Sequence, residues 1–179
     1  MRYKNKVISV GRLEEQKNFF ELIDALKNTN VEIDIYGEGS QKNEIIKYAE
    51  KQKVHLIIHP PVSNDILIKN IQNYKIFISS SKFEGNPKSI LEAMAAGLAP
   101  VTTPVGNIPS VIESNINGFL CPVNDSKSMI KKITLLLKDS NLLHKISITA
   151  KNSAKKRFST KENINKLIAV TDKVISGYD

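Results

Sequence analysis

The 179-residue sequence predicts an α/β fold, one parallel sheet of about six strands with helices on both faces. Three observations predict it. Short β-branched runs alternate with longer segments of helical period. Glycine comes directly after the first two strand ends with a charged residue beside it, in Gly11-Arg12 and Gly37-Glu38-Gly39. The composition, 41% hydrophobic and 25% charged, is that of a globular chain long enough to bury a core without disulfides or a structural metal.

Strands are expected over 7–10, 31–36, 54–58, 76–79, 99–102 and 119–121. Helices are expected over 19–27, 41–51, 64–73, 87–96, 126–137, 141–157 and 161–175. The last three helices succeed one another without a strand, so residues 139–179 read as a helical appendage to a single domain spanning 1–179. The strand ends are the informative positions. The third strand runs into His59-Pro60-Pro61, the fourth into Ser80-Ser81 with Glu84-Gly85 beyond, and the fifth into Thr103-Pro104-Val105-Gly106. In open α/β sheets all these loops lie on the carboxyl edge, where ligands bind.

The formal charge of +8 attracts phosphates, acidic membrane surfaces or nucleic acid, and composition does not choose among them. Lys151, Lys155, Lys156 and Arg157 form one basic cluster, read as a solvated helix face. Five Tyr, six Phe and no Trp, not interleaved with that cluster, argue against a base-stacking nucleic-acid surface. Cys121 is the single cysteine, which favours a reducing, cytoplasmic setting. No apolar run approaches the roughly 18 residues of a membrane span, and the first residues lack a signal peptide's pattern. His55, His59, His144 and Cys121 show no metal-ligand spacing.

The segment 84–97 carries the strongest local signal. Asn86 suits an N-cap, Pro87 the first helical position and Gly97 the residue past the end. The first turn, residues 88–90, leaves N–H groups unpaired at the positive end of the helix dipole, a ready anion site. Glu92 lies five residues past Pro87, about 7.5 Å along the axis from the expected helix start, a distance comparable to that between a diphosphate and its ribose. The same local pattern also fits a capped surface helix with two solvated glutamates. Arg12 and Lys17, in the loop after the first strand, add a planar fork and a compact charge suited to two adjacent phosphates.

Taken together, Gly11-Arg12-Leu13 with Gln16-Lys17-Asn18, Tyr36-Gly37-Glu38-Gly39-Ser40, Glu84-Gly85-Asn86-Pro87 with Glu92 eight positions after Glu84, Pro104-Val105-Gly106-Asn107-Ile108-Pro109 and Asn117-Gly118-Phe119-Leu120 resemble the C-terminal domain of family 4 glycosyltransferases. The resemblance implies the C-terminal, Rossmann-like half of a GT-B fold. It also implies a retaining, metal-independent transferase without a cofactor, with a nucleoside diphosphate sugar as co-substrate. Arg12 and Lys17 would grip the diphosphate and stabilise its charge as it leaves. Glu84 would hold hydroxyls of the donor sugar, Glu92 the ribose, and backbone groups of Gly85, Asn86, Pro87, Lys88, Ser89 and Ile90 would approach the sugar and phosphates. The base would lie near Gly37 and Gly39 and the turn 59–62 with Pro61 and Val62, and Gly11 would belong to the nucleotide-sugar site.

Three departures from the family pattern stand out: Asn107 where a second glycine is common, Ser110 where an acid is common, and Asn86-Pro87-Lys88 in place of a Phe-Gly-Leu-Pro type of loop. The last implies that Lys88 adds a phosphate contact. The resemblance further implies that the N-terminal acceptor domain lies outside this chain, which is then inactive alone. UDP-linked hexose or N-acetylhexosamine is the expected donor, with GDP-mannose second. The expected setting is bacterial surface polysaccharide (O-antigen or lipopolysaccharide) synthesis on a lipid-linked acceptor, at the inner face of the plasma membrane. A UDP-sugar 2-epimerase shares the fold and nucleotide site and is the alternative. A phosphate-accepting receiver domain needs an acidic cluster after the first strand, where this chain has Gly11-Arg12.

Overall fold

The computed structural model describes residues 3–158. Its strands are β1 (Lys6–Val10), β2 (Glu32–Tyr36), β3 (Leu56–His59), β4 (Ile76–Ser79), β5 (Ala99–Thr102) and β6 (Phe119–Leu120). The helices are α1 (Phe19–Leu26), α2 (Lys42–Gln52), α3 (Asn64–Ile71), α4 (Lys88–Ala95), α5 (Ile108–Val111), α6 (Ser126–Lys138) and α7 (Ser140–Phe158). The strands form one six-stranded sheet in the order β3-β2-β1-β4-β5-β6, every pairing parallel. The expected α/β architecture is therefore the observed one.

Strand period sets the two layers. Successive side chains point to opposite faces, so in β1 Val7 joins one core and Ile8 the other, and in β4 Ile76 and Ile78 oppose Phe77. The first core takes Leu22, Ile45 and Ile133 from α1, α2 and α6. The second takes Ile71, Met94 and Val111 from α3, α4 and α5. Both faces of the sheet are thus covered by apolar helix stripes, the arrangement that buries an all-parallel sheet. α7 contributes Ile146 to the first core and Ala150 and Ala154 to the second, so the start of the expected helical appendage is packed against the sheet. The helix expected over 161–175 lies outside the described residues.

Most boundaries fall within one or two residues of expectation, and two of the differences have a local reason. β3 begins at Leu56, two residues later than expected, because Lys53 adopts a left-handed conformation (φ 56) and the Val54 amide closes α2 on the Ala49 carbonyl at 2.9 Å. α4 begins at Lys88 rather than Pro87. Asn86 makes no side-chain cap; the Lys88 amide instead donates to the Asn86 carbonyl at 2.8 Å, a tight turn around Pro87 (φ −79, ψ 53). Gly97 ends this helix as expected, with φ +77, its amide on the Met94 carbonyl and the Leu98 amide on that of Ala93. The 3-10 turn Glu15–Lys17 and the four-residue α5 are too short to show a helical period in sequence.

The strand order places the site. β1 pairs with β2 on one side and β4 on the other, and the chain crosses over in opposite directions from there. The loops leaving β1 and β4 therefore diverge and open a crevice at the carboxyl edge.

Candidate functional site

Three consecutive serines build the base of the crevice. Ser80, fully buried, donates to the carbonyls of Asn18 (2.7 Å) and Lys17 (3.2 Å) and ties the end of β4 to the turn after β1. The Lys82 amide donates to the Gln16 carbonyl at 2.8 Å and continues the seam. Ser79 and Ser81 share a hydrogen bond at 3.1 Å, and the Ser81 hydroxyl reaches the Glu84 carboxylate at 3.3 Å. These contacts hold two loops, distant in sequence, in fixed register. Lys17 Nζ then lies 2.5 Å from Glu84 Oε2, with the two side chains 14% and 12% exposed.

A third loop holds Glu84 from the other side. Gly106 has φ +53, and a Cβ there would stand 1.6 Å from the Glu84 carbonyl oxygen, so the β5 loop passes the Glu84 backbone at a distance only glycine permits. The Asn107 side-chain Nδ2 donates to the Gly85 carbonyl at 2.9 Å, and the Thr103 hydroxyl to the Ser81 carbonyl at 2.6 Å. The asparagine that departs from the family pattern thus braces the turn bearing the first glutamate.

A cavity of about 640 Å³ opens beside this pair. Gly11, Arg12 and Lys17 line it from the β1 loop; Glu84, Gly85 and Asn86 from the β4 loop; Lys88, Ser89 and Glu92 from α4. At the start of α4 the amides of Ser89 and Ile90 have no backbone partner, whereas the Lys88 amide is engaged and the Leu91 amide bonds the Pro87 carbonyl. The expected anion site is therefore two amides, one fewer than the sequence promised. Glu92 points into the same cavity, 17% exposed, with Lys88 Nζ 3.7 Å from its carboxylate across one helical turn.

A second cavity, about 310 Å³, adjoins the first and shares Val10, Gly11, Arg12 and Leu67 with it. Gly37, Pro61 and Val62, the residues that the resemblance assigns to the base, line it. A Cβ on Gly37 would meet the Gly11 carbonyl at 1.9 Å, which is what lets the β1 and β2 loops converge there. Tyr36, another lining residue, stacks on His59 with ring centroids 4.4 Å apart. Three expected residues are not among those lining either cavity. Pro87 and Ile90 are buried, Ile90 in the core beneath α4, and Gly39 (φ +156) packs on the Leu13 backbone. The period of α4 turns the Ile90 side chain inward, so Ile90 can serve the site only through its amide, while Pro87 precedes the helix and has no amide N–H to offer.

The residues missed by sequence reasoning fall into two kinds. Ser79, Ser80, Ser81 and Thr103 act through partners far away in the chain, which no local pattern reveals. Gln16, Asn64 and Phe83 line the larger cavity. Phe83 carries a readable signal, a large apolar residue directly before Glu84; it is 65% exposed at the mouth. Ion pairing also differs between the cations. Lys17 and Lys88 are each beside a glutamate, while the Arg12 guanidinium is in no ion pair among the described residues. The same residues contain no cluster of three or more His, Cys, Asp or Glu able to hold a metal ion.

The chain and its fold are similar to known proteins. The poly(ribitol-phosphate) alpha-N-acetylglucosaminyltransferase of Staphylococcus aureus is 28% identical over 163 residues, covering 90% of this chain and 33% of its own length. The crystal structure of a S. aureus TarM mutant in complex with Fondaparinux, alpha-GlcNAc-glycerol and UDP superposes with a TM-score of 0.85 at 25% identity, covering 94% of this chain and 35% of that one. The fold also matches the C-terminal domain of the glycosyl transferase group 1 family protein LpcC from Francisella tularensis, with a TM-score of 0.79 at 22% identity over 89% of each chain. This chain thus spans about a third of the first of these relatives. The family model described as "Glycosyl transferases group 1" matches residues 2–153. With that match over the whole sheet and the crevice built on it, the chain belongs to the group 1 glycosyl transferases.

Proposed function

We propose that this chain is the donor-binding domain of a retaining glycosyltransferase that moves a hexose or N-acetylhexosamine from a UDP-sugar. One observation carries the reading. Two adjoining cavities that share Val10, Gly11, Arg12 and Leu67 bring together an apolar pocket beside the β2 and β3 loops, a carboxylate on α4, two open amides with Arg12 and Lys17, and Glu84. That set of chemistries suits base, ribose, diphosphate and sugar.

As the bond between the anomeric carbon and the diphosphate oxygen breaks, negative charge collects on the departing phosphate. Lys17, Arg12 and the α4 amides would stabilise it by fixed charges and dipoles in a partly desolvated crevice, without a metal or other cofactor. Glu84, held by Ser81 and Lys17, would accept hydrogen bonds from sugar hydroxyls and so orient the anomeric carbon. A lipid-linked acceptor would enter from an N-terminal domain across the crevice, within bacterial surface polysaccharide synthesis. UDP in the TarM complex and N-acetylglucosamine transfer by the S. aureus relative support the choice of donor.

Titration calorimetry of the folded chain against UDP, GDP and ADP tests the reading. A measurable heat with UDP exceeding that with the other two is expected. Folded protein that binds none of the three overturns it.

A further inference from the structure

All of the chain's net charge lies in one structural unit. Residues 126–158, the α6 and α7 pair, carry nine lysines and arginines against the lone carboxylate of Asp139, a net of +8 that equals the formal charge of the whole chain. Residues 1–125 hold fourteen charges of each sign, and residues 159–179 three of each. Elsewhere lysines stand beside carboxylates, as Lys6 does with Glu32 and Lys82 with Glu15. Among the described residues no α6 or α7 lysine is in an ion pair, and the Asp139 carboxylate is taken up by the Leu142 amide at 2.9 Å.

The helical period gathers these charges. On α6, Lys127, Lys131, Leu135 and Lys138 are exposed and succeed one another at three- and four-residue steps, which puts them on one stripe. On α7, Lys145, Ile148, Lys151 and Lys155 do the same. Each stripe thus holds three lysines and one aliphatic side chain, Leu135 at 41% and Ile148 at 46% exposure. The opposite sides of both helices are occupied, with Ile133 and Leu136 of α6 and Ile146 and Ala150 of α7 fully buried.

We propose that the exposed stripes of α6 and α7 dock this chain on a bilayer surface rich in anionic phospholipid. Opposite charge supplies the long-range attraction, and flexible lysine stems let the ammonium groups sit at the headgroups while the aliphatic side chains between them enter the acyl boundary. A phosphate backbone of nucleic acid would leave Leu135 and Ile148 without a partner, and the stripes hold no aromatic ring on which a base could stack. The contact is peripheral, since no described helix is long and apolar enough to cross a membrane. The docking stripes share no residue with the nucleotide site, and their role does not depend on it.

Co-sedimentation with vesicles of mixed phosphatidylglycerol and phosphatidylcholine, against vesicles of phosphatidylcholine alone, tests it. The whole chain is expected to pellet with the first and not the second, and to be released by salt. Each lysine at an anionic surface is worth roughly fivefold in affinity, so the variant combining Lys131→Gln, Lys138→Gln, Lys145→Gln and Lys151→Gln should bind roughly a hundredfold or more weakly, with an unchanged circular dichroism spectrum. A control combining Lys42→Gln, Lys47→Gln and Lys51→Gln on α2 should bind as the parent does. No binding to phosphatidylglycerol vesicles, an equal loss in the control, or full displacement of the chain from vesicles by an equimolar DNA duplex would overturn the proposal.

Discussion

The Lys17 ammonium lies 2.5 Å from the Glu84 carboxylate, joining loops 67 residues apart in sequence across the point where the sheet's winding reverses. The two groups proposed to divide the donor between them are thus already partners. Both side chains are largely buried, so removing one leaves the other without its counter-charge. Lys17→Ala is expected to destabilise the fold by about 1 to 3 kcal/mol in urea unfolding. Lys17→Ala combined with Glu84→Ala should cost less than the sum of the two single changes. Additive losses would mean that the pair is not coupled.

The two glutamates are expected to separate in binding. Glu92→Ala should weaken UDP by about 1.5 to 3 kcal/mol, through loss of a charge-assisted ribose contact. Glu84→Ala should leave UDP affinity within about threefold of the parent and remove the extra affinity that the sugar adds in UDP-N-acetylglucosamine. Calorimetric titration of each variant with both ligands checks this. Equal weakening of UDP by both changes contradicts the assignment.

Adjacent glycines on the two bracing loops offer a contrast that needs no ligand. A Cβ on Gly106 would collide with the Glu84 carbonyl in a left-handed backbone, whereas Gly85 has nothing within 4 Å of the same added atom. Gly106→Ala should therefore cost about 1 to 3 kcal/mol and Gly85→Ala under about 1 kcal/mol, by thermal unfolding.

Asn107→Ala removes the brace on the Gly85 carbonyl at an exposed site. A stability loss of about 0.5 to 1.5 kcal/mol is expected, with UDP binding retained and the sugar-dependent part of donor binding reduced. Asn107→Asp, which cannot donate that hydrogen bond from its carboxylate, should behave like Asn107→Ala.

Cys121 is fully buried, and burial pushes its thiol pKa up from the ordinary value. The native chain should resist iodoacetamide near neutral pH and react at the ordinary rate in denaturant. Rapid labelling of the folded chain would contradict its place in the core.

How much of the molecule is legible in sequence depends on how far each contact reaches along the chain. Strand period, the glycine at Gly97 and the spacing of Glu84 from Glu92 are local, and the alternation of strands with helices is legible for the same reason. The entry to α4 lies one residue later than the sequence suggests, because the turn that frees the amides of Ser89 and Ile90 depends on a backbone bond from Lys88 to Asn86 rather than on the asparagine side chain. The Lys17 to Glu84 contact, the Ser80 seam and the Gly106 brace depend on strand order. A single sequence does not carry that order in any local pattern. Ile90 and Pro87 belong to the segment but not to its exposed side, which only the helix's packing against α3 and α7 decides.

A crystal structure of the chain soaked with UDP is the most direct test of the central claim. The diphosphate is expected within hydrogen-bonding distance of Lys17, Arg12 and the Ser89 and Ile90 amides, the ribose on the Glu92 carboxylate, and uracil in the pocket beside Gly37 and Val62. UDP bound with its ribose away from Glu92, or its phosphates away from the start of α4, would contradict it.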